Sequence, residues 1–170
     1  MIPRASARGE VIHHAHHIAA LAMTLAEFDI FGHDYANQII QNAKALARAF
    51  YSEGVKVLCP DKDFTESHTL LIDTISSSKE VVAQLAKTNI ITNSFQLPWN
   101  PNGFESGIRL GTSEITRLGM KESEMKVIAK LVADVIYKRR PINRIKKEII
   151  DMRESYQKIN YCFNNAQIKS

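Results

Sequence analysis

The chain has 170 residues, 45% of them apolar and 24% charged, with a formal net charge of +4. That length suits one domain able to bury roughly two-thirds of its unfolded surface. No apolar run approaches the roughly 20 residues of a membrane helix, no signal-peptide pattern opens the sequence, and Cys59 and Cys162 stand outside any CxxC spacing, so the expectation is a reduced, cytoplasmic domain with no membrane partner.

Residues 10–28 carry a stripe of small residues at Ala15, Ala19, Ala22 and Ala26, with Ile18, Leu21 and Leu25 adding bulk. This spacing predicts a helix that another backbone can approach closely. A second helix is predicted over 34–52, with Ile39, Ile40, Ala43, Leu46, Ala47 and Phe50 as its apolar face and Gly54 as its stop. The first 30 residues are read as an N-terminal segment and helix, and 31–170 as a small α+β domain. Val55-Lys56-Val57-Leu58 reads as a short strand before a Pro60-Asp61 turn, and His68 through Ile75 as another, carrying Leu70, Leu71 and Ile72. Ser77-Ser78-Lys79-Glu80 fits a capping box that opens a helix to about Lys87.

Asn89-Ile90-Ile91-Thr92 is expected to be the next strand, and Asn93 to Phe104 an irregular loop holding the single tryptophan, Trp99. Ser106 to Thr112 then forms a strand, with Thr112 placed to cap a helix over 113–117 that ends at Gly119. Residues 121–138 return to helical period through Met125, Ile128, Leu131, Val132, Val135 and Ile136, and 142–159 through Ile142, Ile145, Ile149, Met152 and Tyr156. The order describes an α+β layer, with helices covering one face of a mixed or antiparallel sheet of three to four strands.

Arg109 is the residue in this pattern that asks for a partner. It sits in a short apolar strand with Gly107 and Gly111 on either side. Burying an unpaired guanidinium costs several kcal/mol, so two readings stand. Either an anion such as a carboxylate docks in its planar fork, the glycines allowing close approach, or Arg109 pairs with a surface carboxylate on an edge strand. Lys138, Arg139, Arg140, Arg144, Lys146 and Lys147 crowd around Pro141 without interleaved aromatics, which fits a solvated helix end and argues against a nucleic-acid partner. His13, His16 and His17 share a helix face, but no cysteine lies nearby and a metal site is not expected.

Taken together, His16 to Ala22, Asn42 to Ala47, Glu66 to Asp73, Thr88 to Asn93 and Ser106 to Gly119 resemble, in order, the C-terminal part of serine hydroxymethyltransferases. The resemblance runs from about residue 9 to 163 and implies the small C-terminal domain of the aspartate-aminotransferase-like fold, that of fold-type-I pyridoxal-phosphate enzymes. It implies that Arg109 holds the α-carboxylate of an amino-acid substrate. It also implies that His68 lies on a small-domain strand, where a structural role is the simpler reading, and that His13 and His14 lie near the cofactor phosphate of a neighbouring subunit.

The family attaches its cofactor to a lysine that follows a Thr-His pair, and no lysine here follows such a pair. The resemblance therefore implies that no catalytic residue is carried by this chain. Pyridoxal phosphate would be engaged only with a large domain on another chain or in the rest of a longer enzyme, in an oligomer. Where the family has Asn-Lys-Asn, this sequence has Asn93-Ser94-Phe95; Asn93 can still touch a pterin, but tetrahydrofolate use is in question. Three readings follow: half of a split enzyme, a fragment of a longer one, or a non-catalytic interaction module that keeps the fold.

Overall fold

The computed structural model describes residues 15–74, 77–97, 99 and 107–164. In chain order the elements are helix α1 (Ala15–Ser52), strands β1 (Lys56–Val57) and β2 (Thr69–Asp73), helix α2 (Ser78–Lys87), strands β3 (Asn93–Phe95) and β4 (Gly107–Gly111), and helices α3 (Ser113–Arg117), α4 (Glu122–Ile136) and α5 (Ile142–Glu154). The four strands form one antiparallel sheet in the order β1-β2-β4-β3. The α+β class and the helix-covered sheet are as the sequence predicts, and the sheet is antiparallel rather than mixed.

Alternation along β4 sets the layers. Ile108 and Leu110 are buried, whereas Arg109 and Gly111 are exposed. With Leu70 and Ile72 of β2, the two buried residues pack against Leu46, Ala47 and Phe50 of α1, Leu85 of α2, Met125, Ala129 and Val132 of α4, and Ile145 of α5. Fully burying one such side chain contributes about 1.5–3 kcal/mol, so this face holds the domain together. Antiparallel sheets tolerate a second face without a covering helix, and Arg109 lies on that face, which no described helix covers.

Several local expectations are corrected. The helices predicted over 10–28 and 34–52 are one continuous helix within the described residues, α1. No proline interrupts residues 29–33, and a single mid-helix glycine, Gly32, costs only about 1 kcal/mol. The strand expected at Asn89–Thr92 forms instead at Asn93–Phe95, inside the predicted loop. The earlier residues are used to end α2: Asn89 is left-handed at φ 69°, and the amides of Asn89 and Ile90 return to the carbonyls of Ala86 and Leu85. Pairing then begins where Asn93 meets Arg109.

Neither predicted side-chain cap forms. Ser77 precedes α2 without a capping hydrogen bond from its hydroxyl. Thr112 is fully buried, and its hydroxyl lies 3.0 Å from the Ile39 carbonyl and 3.3 Å from that of His68, tying α1 to the residue just before β2 instead of capping α3; His68, expected on the strand, lies one residue outside it. The last helix stops at Glu154, and residues 156–164 double back rather than continuing to 159. Gly54 and Gly119 do end their helices, both with positive φ.

Candidate functional site

The sheet register places Arg109 between Leu71 of β2 and Asn93 of β3. All three share the uncovered face, because side chains directly opposite in an antiparallel pair point the same way. Two residues along that face, Asp73 is already engaged by Lys56, with Nζ 2.8 Å from Oδ2. Among the described residues none pairs with the Arg109 guanidinium by hydrogen bond or ion bridge. The edge-strand reading needs a surface carboxylate paired with Arg109; Glu114 lines the same cavity, but among the described residues neither it nor any other carboxylate forms an ion pair with Arg109.

A cavity of about 560 Å³ opens beside Arg109. Its rim carries His68, Thr69, Asn93, Gly111 and Glu114, and its floor is apolar, with Leu110, Ile115 and Met120 among the lining residues. Three of the residues singled out from the sequence, Arg109, His68 and Asn93, therefore meet at one opening. His68 has a structural task through its backbone: its carbonyl accepts the Thr112 amide at 3.0 Å. Its side chain lies at the rim, with Cδ2 4.0 Å from where a Cβ on Gly111 would sit. A side chain at residue 111 would reach into the space beside Arg109, which is what a glycine there avoids. Asn93 is exposed directly across from Arg109.

His13 and His14 lie outside the described residues. His16 and His17, one turn on, touch ring to ring at 4.2 Å on an exposed part of α1. The three arginines of the basic stretch around Pro141 are tied up within the domain. Arg139 reaches Glu53 at 2.8 Å, Arg140 is held by Glu148 and by Asp134 at 3.2 Å, and Arg144 lies 3.8 Å from Glu148.

Two clusters were not singled out from the sequence. Asn42 is fully buried in the apolar stripe of α1; its amide donates to Thr116 Oγ1 at 2.8 Å and to the Met120 carbonyl at 2.9 Å, and Gln38 donates to its oxygen at 3.2 Å. A polar residue between Ile39 and Leu46 was the available signal. The second joins α1 to the chain's end: Arg117 bridges to Glu27 at 2.9 Å and lies 5.9 Å from the centre of the Tyr35 ring, which stacks on Tyr161 at 5.0 Å. Burial pushes the Tyr35 phenol up from its ordinary value, with Arg117 partly opposing, so the hydroxyl stays protonated and donates to the Ser113 carbonyl at 2.9 Å. Nothing in the spacing of Glu27, Arg117 and Tyr161 brings them together; only the fold does.

The family model for serine hydroxymethyltransferase matches residues 7–132. The serine hydroxymethyltransferase of Methanopyrus kandleri is 45% identical over 159 residues, covering 91% of this chain and 37% of the relative. That of Methanocaldococcus jannaschii is 45% identical over 164 residues, covering 91% and 38%. Among solved structures, L-threonine transaldolase from Pseudomonas fluorescens, in its internal aldimine state, superposes with a TM-score of 0.75 at 26% identity, covering 86% of this chain and 35% of that one. The chain thus spans little more than a third of the length of the proteins it matches.

Proposed function

This chain belongs to the serine hydroxymethyltransferase family, and from that premise we propose that it supplies the carboxylate-binding part of a composite active site. Arg109 is the substrate-binding residue. Its guanidinium stands exposed on an uncovered sheet face, beside a cavity and without a partner among the described residues; this observation carries the reading. A carboxylate taken into the fork gains two charge-assisted hydrogen bonds and a fixed orientation. Orientation matters because the bond to be broken must be aligned before it can react.

The rest of the composite site lies in the part of the enzyme this chain does not span. Pyridoxal phosphate, held there, supplies the electron sink for making or breaking the bond next to the amino-acid α-carbon. The described residues fit the substrate and not this cofactor: of the two guanidiniums lining the cavity, that of Arg153 donates to the Tyr156 carbonyl while that of Arg109 has no partner among the described residues, and no lysine lines the cavity. What Arg109 contributes is to bind the carboxylate and hold it still. Asn93 and His68 bound the same opening and limit what can lie beside it, and His13 and His14 are proposed as contacts to the cofactor phosphate. The partner is the cofactor-bearing remainder, on a second chain or in a longer enzyme, and the assembly is an oligomer of composite protomers in a reduced cytoplasmic setting.

The exposed start of α1 supports a missing partner. Ile18, Leu21, Leu25 and Phe28 are 59, 58, 61 and 51% exposed, and a helix apolar on this scale needs cover. The test is a chimera of the Methanopyrus kandleri enzyme in which the matched segment is replaced by this chain. It is expected to bind pyridoxal phosphate, turn yellow and cleave serine. Arg109→Ala should raise the serine KM about 100-fold, about 3 kcal/mol, within the range for removing one partner of a desolvated charge pair, while Arg109→Lys recovers part of it. Equal KM values for the parent and Arg109→Ala chimeras would refute the assignment.

A further inference from the structure

Over residues 16–34 most side chains of helix α1 are exposed. Two of them are fastened. Glu27 Oε2 accepts from Arg117 Nη2 at 2.9 Å, and its Oε1 accepts the Phe163 amide at 3.2 Å. The Phe31 ring meets Phe163 edge to face at 5.9 Å. One turn further, Tyr35 stacks on Tyr161 and bonds to Ser113. Glu27, Phe31 and Tyr35 are spaced i, i+4, i+8 and form one stripe. The stripe is met by the segment that follows α5, and that segment is itself tied down, the Asn160 amide donating to the Arg117 carbonyl at 2.7 Å. Asn160 Nδ2 lies 2.8 Å from where a Cβ on Gly119 would sit, so the absence of a side chain at 119 is what lets the segment pass.

We infer that residues 156–164 are a clasp that fixes the direction in which the first half of α1 leaves the domain. The fastened stripe and the exposed stripe of Ile18, Leu21, Leu25 and Phe28 lie about 100° apart around the helix at 3.6 residues per turn. The clasp therefore grips one side and leaves the other free. An unsupported helix of some 15 residues is marginal in water, and ordering it at the moment of association would weaken binding. Held by Glu27 and Phe31, the apolar stripe is presented already folded. Its occupant, the cofactor-bearing remainder of the enzyme, rests on the function proposed above; the clasp itself does not.

Amide hydrogen exchange on the full chain, without cofactor or partner, tests this apart from that function. The variants are the double substitution Glu27→Gln with Phe163→Ala, and the single Tyr161→Ala. The double variant is expected to exchange at least tenfold faster over residues 18–31 with no change over 125–135 in α4, and Tyr161→Ala by a smaller factor over the same residues. Rates over 18–31 within twofold of the parent would overturn the inference, as would acceleration shared equally by α4, which would make the segment a support of the whole fold. Amides over 18–31 that are already unprotected in the parent chain would overturn it as well.

Discussion

Removing the Asn42 amide gives the sharpest test of how the domain is tied together. Asn42→Ala deletes two donated bonds, to Thr116 Oγ1 at 2.8 Å and to the Met120 carbonyl at 2.9 Å. Thr116 keeps its own bond to the Thr112 carbonyl at 2.7 Å, and Gln38 keeps Glu122 at 3.0 Å. The Met120 carbonyl is then the group left short of a partner, in a residue only 4% exposed. Two lost bonds at about 1 kcal/mol each, with about 1–3 kcal/mol for a stranded acceptor, put the cost at about 3–5 kcal/mol. For a domain of this size that is a fall in Tm of about 6–20 °C, read by differential scanning calorimetry.

Asn42→Asp separates hydrogen bonding from lost volume. It keeps the shape, yet a carboxylate cannot donate to either oxygen and is driven toward its neutral form by burial. Its loss of Tm should therefore exceed that of Asn42→Ala at pH 7 and shrink relative to the parent as the pH falls and the acid protonates. If Asn42→Ala melts within 2 °C of the parent, the tie between α1 and the turn after α3 carries no energy and the reasoning fails.

The other predictions concern the sheet and the loop before it. Gly107→Ala would put a Cβ 2.8 Å from the Phe95 carbonyl oxygen and 2.8 Å from Leu97 Cδ2, so β3 must move off β4; a loss of about 1–3 kcal/mol is expected from urea denaturation, and an unchanged midpoint would contradict it. The Arg48 fork, donating to both oxygens at 2.9 and 2.7 Å, with Lys44 beside it, holds the Asp63 carboxyl below its usual range. The stabilisation from this pair is then complete above the ordinary carboxyl value near 3.9 and lost as pH falls through the lowered one. The Tm gap between the parent and Asp63→Asn should be constant from pH 7 to about 5 and close in stronger acid; a gap that persists there would deny the pair a role.

Much of the helical framework was legible because burial repeats with helical period. Leu46, Ala47 and Phe50, and Met125, Val132 and Ile145, lie in the core as their spacing required. What misled was local chemistry with two uses. Thr112 had the right type and place for a cap, yet its hydroxyl serves Ile39 and His68. Asn89 and Ile90 had strand-like neighbours but are spent on the end of α2. The gap read between helices at 28 and 34 is carried through, because α1 has reasons to continue on both sides of it.

The chain's own residues determined that Arg109 would stand in a strand between glycines, in a domain of α+β class, because alternation and turn chemistry act over a few neighbouring positions. Tertiary structure alone decided that Arg109 has Asn93 and Leu71 for neighbours, that no described carboxylate reaches it, and that Glu27, Arg117 and Phe163 close on one another. Those contacts span up to 136 residues of sequence. They depend on strand register and on where the chain turns back, and those are set by the summed burial of the whole core rather than by any one segment.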